Sequence, residues 1–376
     1  MGKPAAKHRY IDALRGLAIL GVLVNHCGPN GSEPYPEFFS TLVFEGMRGV
    51  QLFYIVSALT LFLSMDARAG DDRNSSAVFF LRRFFRIAPL FYCAVLYYLW
   101  QDGLGPRYAA GSQPGITAAQ VLTTFTFTYS ANPYWMNSIV PGGWSIAVEM
   151  PFYLTVPFLF RRIRDLKSAL WLLIGSIALC RILDCILGSM QVIEDKRIWA
   201  EYLYFFLPSQ FPVFVLGIVL YLVITKGKEV SLPRLLEGCS RPLLVLAALC
   251  IGQLLFGAFL PYHLLMGAAF CLLAYSLYLN PSAILVNRIT ESIGRVSYSI
   301  YLTHPAVMHL MKRCGLSHFI DGHPIGDFLI RFTAVTILSL LLSTATHFLV
   351  EKPGLLIGKR IIAAITESRL QASSRI

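Results

Sequence analysis

Four groups of side chains in this sequence have the types and the spacing to do chemistry. The first is Asp12, Arg15 and His26. On an α-helix the step from Arg15 to His26 is three turns plus about 20°, so both lie on one face, about 16 Å apart along the axis. Asp12 stands one turn before Arg15 and can pair with it. The imidazole of His26 can serve as a general base or as a nucleophile. The competing readings are an interfacial histidine at a helix end and an arginine that snorkels to a membrane boundary.

The second group is Arg82, Arg83 and Arg86, in an aromatic run from Phe79 to Pro89. Guanidinium pairs one turn apart suit phosphate, through charge-assisted forked bonds. Arginines flanking a span also fix topology and touch anionic lipid. The third group opens at Gly142-Gly143-Trp144-Ser145 and reaches Glu149. Ser145 and Glu149 share a face, and a carboxylate one turn into an apolar stretch must be paired or protonated. It can orient a histidine or a substrate hydroxyl, or tie two helices. The fourth is Ser297, Tyr301 and His304, stacked by steps of four and three. Such a stripe lines a substrate groove or makes interhelical hydrogen bonds.

The elements that hold these groups follow from composition. Of 376 residues, 56% are hydrophobic and 14% are charged, and the mean hydropathy is +0.60. This excludes disorder, a fibre, a coiled coil and an ordinary cytosolic enzyme. It predicts an all-α, polytopic transmembrane bundle. Ten candidate spans fall near 10–27, 49–65, 87–101, 144–160, 168–188, 203–224, 243–260, 263–280, 296–311 and 326–349. The Thr-rich stretch 116–131 reads as interfacial or re-entrant. No internal repeat or linker divides the chain, so one domain, 1–376, is expected, with a motif-bearing core of 10–353 and a cytoplasmic tail of 354–376.

The net charge is +11. Lys and Arg outside the spans favour the side of the N-terminus by roughly four to one, which predicts that both termini are cytoplasmic. The basic balance is therefore read as topology in a lipid bilayer, with no nucleic acid partner. The eight cysteines are scattered, mostly in apolar runs, and read as small buried hydrophobes. His318 and His323 lack partners at ligand spacing, and no metal is expected.

Taken in order along one chain, these groups resemble the acyltransferase family 3 membrane proteins. The resemblance rests on Tyr10 to Ala18 through His26, Gly49 to Phe53 through Ser57, Arg83-x-x-Arg86-Ile87-x-Pro89, Trp144-Ser145 through Glu149 and Tyr153, Ser297-Tyr298 through His304, and Glu351-Lys352-Pro353. Members transfer acyl groups, usually acetyl, to hydroxyls of cell-surface glycans and some small molecules. The resemblance implies about ten spans, a place in the bacterial inner membrane and an acyl-CoA donor, acetyl-CoA by default. It also implies an essential Arg15–His26 pair and a two-arginine motif at Arg83 and Arg86. Gln51 stands where the family often has an acid, and Ala58 where it often has glycine.

The combined expectation is an O-acyltransferase. Arg83 and Arg86, with Arg82, meet the phosphates of acyl-CoA, and Arg15 holds the donor or the polar throat above them. His26 deprotonates the acceptor hydroxyl of a glycan, glycolipid or small molecule; a covalent acyl-histidine is the alternative. Glu149 or His304 orients the imidazole, and Asp12, Trp144, Ser145 and Tyr301 contribute to substrate binding. A transporter or flippase for a glycolipid or small solute is the competing class, although such proteins place their sites at broken helices related by repeats.

Overall fold

The computed structural model describes residues 9–28, 35–69, 76–106, 115–229 and 260–373. Among them the secondary structure is helical, with no strand. The long elements are α1 (Arg9–His26), α2 (Glu37–Glu45), α3 (Gly49–Asp66), α4 (Ser76–Asp102), α5 (Ala118–Phe125), α6 (Trp144–Arg162) and α7 (Leu166–Ser189). They continue with α8 (Lys196–Phe205), α9 (Leu207–Glu229), α10 (Tyr262–Leu279), α11 (Arg288–Arg295), α12 (Ser297–Arg313), α13 (Pro324–Thr346) and α14 (Lys352–Ser373).

Helices overlie the expected spans wherever those spans fall on described residues; the span expected at 243–260 lies almost wholly outside them. Among the described residues, five helical stretches are long and apolar enough to cross a bilayer: Glu37–Asp66, Leu166–Ser189, Lys196–Gly227, Tyr262–Leu279 and Pro324–Glu367. The chain is thus a membrane protein whose described residues are helical, without strands. α1, α4, α6 and α12 fall outside that set. They are the helices that carry the four polar groups; α12, at 17 residues, is also the shortest of the four. Residues 116–131 form the short helix α5 and a single 3₁₀ turn at Tyr129–Ala131, too short to span.

α1 runs through the middle of the bundle. Ala13, Leu14, Ala18, Ile19 and Leu23 are fully buried, and α1 packs on α3, α11, α12 and α13. Small residues make this possible. A Cβ on Gly16 would overlap the Thr290 carbonyl, and one on Gly294 the Asp12 carbonyl. Close backbone approach of this kind replaces the missing hydrophobic drive between helices in lipid. Arg9 adds an ion pair to Glu291 at 2.7 Å.

The far end of α1 is tied down by a buried arginine. Arg331 on α13 donates to the carbonyls of Cys27 and Gly28, both at 3.2 Å, and to the Tyr35 hydroxyl at 3.1 Å. Its charge is balanced by Asp327 at 3.0 Å. A cation bonded to the last carbonyls is a favourable helix terminus. The sequence shows only an ionisable residue inside a span.

α13 does not stop at the expected boundary. It passes through a π turn, His347–Glu351, into α14. The segment expected as a tail from 354 is a helix packed on α4.

Candidate active site

One cavity of about 620 Å³ opens among α1, α3, α4, α6, α12 and α14, within the size range of small-molecule sites. Six cations line it: Arg15, Arg68, Arg82, Arg83, Arg86 and Lys359. Glu149 is the one carboxylate in its lining. The helix directions put the cations toward the end where α1 begins. Tyr54, Ser145 and Tyr301 lie toward the other end.

Among the described residues, carboxylates hold Arg15 and Arg86. Arg15 pairs with Asp12 at 3.0 Å and donates to Thr60 Oγ1 at 3.3 Å. Arg86 pairs with Glu351 and lies over the Tyr298 ring at 5.8 Å. Glu351 is buried, at 1% exposure; it also accepts from Ser299 Oγ at 2.7 Å and stands 3.1 Å from His347 Nδ1. The π turn aims Glu351 inward; such turns recur at functional sites. Arg83 differs, because its buried Nε has no partner. An orphaned guanidinium donor in a net-positive chamber fits an anionic ligand such as a phosphate.

Glu149 accepts from Ser57 Oγ at 2.5 Å, and the Tyr153 hydroxyl is in reach of both. Its described hydrogen bonds go to hydroxyls, so the expected link from Glu149 to an imidazole does not form.

The far end of the cavity is closed by a hydroxyl chain. Ser145 Oγ donates to the Tyr301 hydroxyl at 2.8 Å, which donates to Gly142 O at 2.8 Å. Gly142 has φ +74°, and a Cβ there would sit 2.9 Å from the Tyr301 oxygen. The position requires glycine both for the backbone and for the ring it faces.

His304 lies just beyond Tyr301, with ring centroids 6.0 Å apart, and His26 lies 5.0 Å beyond His304. The two histidines form a pair outside the cavity lining. His304 is buried, and its Nδ1 lies 3.0 Å from the Ile300 carbonyl. A carbonyl only accepts, so that bond assigns the proton to Nδ1. Nε2 keeps its lone pair, buried without a partner. His26 is exposed at the end of α1.

The structure therefore brings Arg15, Arg82, Arg83, Arg86, Ser145, Glu149 and Tyr301 to one cavity, and sets His26 and His304 against each other outside its lining. Asp12 reaches the cavity only through Arg15. Trp144 stacks on Phe205 at 4.1 Å and meets Tyr54 edge-on, outside the lining. Gln51 is also outside it and bonds Gln210 at 3.0 Å. Sequence reading missed Thr60, Arg68 and Lys359, and met Ser57 and Glu351 only as parts of the family resemblance. The step of three from Tyr54 to Ser57 to Thr60 was a readable stripe. Arg68 and Lys359 look like ordinary loop and tail charges. Among the described residues no group of three or more His, Cys, Asp or Glu is placed to hold a metal.

The fold and this site define a helical membrane protein with a cationic chamber next to a histidine pair. The chain belongs to the third acyltransferase family: the family model described as an acyltransferase domain matches residues 8–348. It is a membrane acyltransferase. No curated protein and no solved structure matches the chain. The matched stretch ends before α14 and before Glu351.

Proposed function

We propose that the protein moves an acyl group, acetyl by family precedent, from acyl-CoA to a hydroxyl of a cell-surface glycan or another envelope or small-molecule acceptor. The observation that carries this reading is the six-cation chamber whose far wall, Tyr301, stands one ring from two histidines. The charge balance of the loops supports a cytoplasmic side for both termini and the cationic end of the chamber; ten spans in a bacterial inner membrane belong to the same proposal.

The chain's residues then divide the work. Arg83 and Arg82 take donor phosphates, and Arg15 and Arg86 are fixed by their carboxylates at the chamber wall. The thioester arm extends toward Tyr301 and must pass the hydroxyl chain to meet His26. His26 takes the proton of the acceptor hydroxyl as its oxygen attacks the thioester carbonyl. The tetrahedral intermediate expels the CoA thiolate, which recovers that proton from the imidazolium. An ester and a free thiol result. His304, anchored through Nδ1, holds the His26 ring from behind.

Purified protein given acetyl-CoA and candidate acceptors is expected to release free CoA thiol only when an acceptor is present. Solute flux without thiol release would overturn the reading and favour a transporter. The Arg83→Lys variant is expected to raise the KM for acyl-CoA by about tenfold, because a point charge lacks the fork. An unchanged KM would leave Arg83 a topological residue.

A further inference from the structure

We propose that α14, which lies beyond the family-matched stretch, forms a wall of the donor chamber, and that Lys359 on it binds an anionic group of the donor. This rests on the acyl-CoA reading above. Leu355, Gly358, Lys359 and Ile362 all line the cavity, and their steps of three, one and three put them on one helix face. The approach of α14 to α4 is fixed by two glycines one turn apart. A Cβ on Gly354 would lie 2.6 Å from Pro89 Cγ, and one on Gly358 would lie 2.6 Å from Phe85 Cβ. Only glycine allows the two helices to come this close. Gly354 meets Pro89 and Gly358 meets Phe85, so α14 runs antiparallel to α4. Lys359 then falls at the level of the α4 arginines rather than at the far wall.

Charge gives the ligand. Arg15 and Arg86 are each matched by a carboxylate, Asp12 and Glu351. No such pair forms at Lys359 among the described residues, and Arg83 Nε is buried and unpartnered. An excess of cations facing one cavity calls for a multiply charged anion, and the phosphates of acyl-CoA supply it. Lysine suits this task as a mobile point charge, beside arginines whose planar forks fix geometry.

The test uses full-length protein in neutral detergent and titrates CoA. Lys359→Glu is expected to weaken CoA binding by about tenfold or more, and Lys359→Arg to stay within about threefold of wild type. The KM for acetyl-CoA should rise with the loss of affinity. Lys359→Ala, expected to lose about threefold or more, keeps the test open should the glutamate variant not fold. If wild type binds CoA and the Glu and Ala variants bind it equally well, the role of Lys359 is overturned while the donor reading stands. If wild type does not bind CoA, the donor reading fails and this inference falls with it. A second arm compares nanodiscs of phosphatidylcholine with and without phosphatidylglycerol. A Lys359 effect seen only with the anionic lipid would assign the lysine to headgroups and overturn the proposal.

Discussion

The His26→Ala variant is expected to lose acyl transfer by a factor of about 10²–10⁴, the range for removal of a positioned general base. Its level in the membrane and its elution profile in detergent should match wild type. The reason is local: His26 is exposed at the end of α1, and its described contact is with the His304 ring. The carbonyls that follow it are held by Arg331 whatever side chain stands at 26. An inserted, fully active variant would remove His26 from the chemistry and shift attention to His304, whose Nε2 is the other free lone pair. Intact-mass measurement after incubation with acetyl-CoA and no acceptor separates the two routes. A covalent route adds one acetyl mass to wild type and none to His26→Ala; general-base catalysis adds none to either.

Glu351→Ala is expected to lower stability by about 2 kcal/mol. Removing one partner of a fully buried pair costs about 3–5 kcal/mol, because the other charge is left without compensation. The lower figure applies because the Arg86 side chain is 34% exposed toward the cavity. Glu351 also accepts from Ser299, so the loss reaches α12 as well as α4. The readout is thermal unfolding in detergent, with Glu351→Gln expected to lie between wild type and alanine. An unchanged melting temperature would show that the Arg86–Glu351 contact contributes nothing to the fold. The residue lies outside the family-matched stretch, so the effect tests how far the functional unit extends.

How much of this was readable beforehand depends on the kind of residue. Charges in apolar stretches are costly, so Arg15, Arg83, Arg86 and Glu149 announced themselves, and all four line the cavity. The stripe of Ser297, Tyr301 and His304 was also legible from spacing. Its division was not: Ser297 and Tyr301 face the chamber and His304 does not. The boundary is set by Gly142, whose positive φ brings its carbonyl under the Tyr301 hydroxyl. A sequence offers no view of such a crossing between distant segments. The pairing of His26 with His304 is hidden for the same reason, since it depends on how α1 packs on α12. α14 was not foreseen as a helix packed on α4. It was expected only as a cytoplasmic tail from 354, because the two glycines that press it against α4 carry no hydrophobic signal.

The clamp at Arg331 has a consequence for biosynthesis. The guanidinium that caps the segment bearing His26 is translated some 300 residues after it. Until that late segment is inserted, the carbonyls behind the imidazole have no donor and the end of α1 frays. A chain halted before Arg331 therefore lacks the donor that holds the carbonyls after His26.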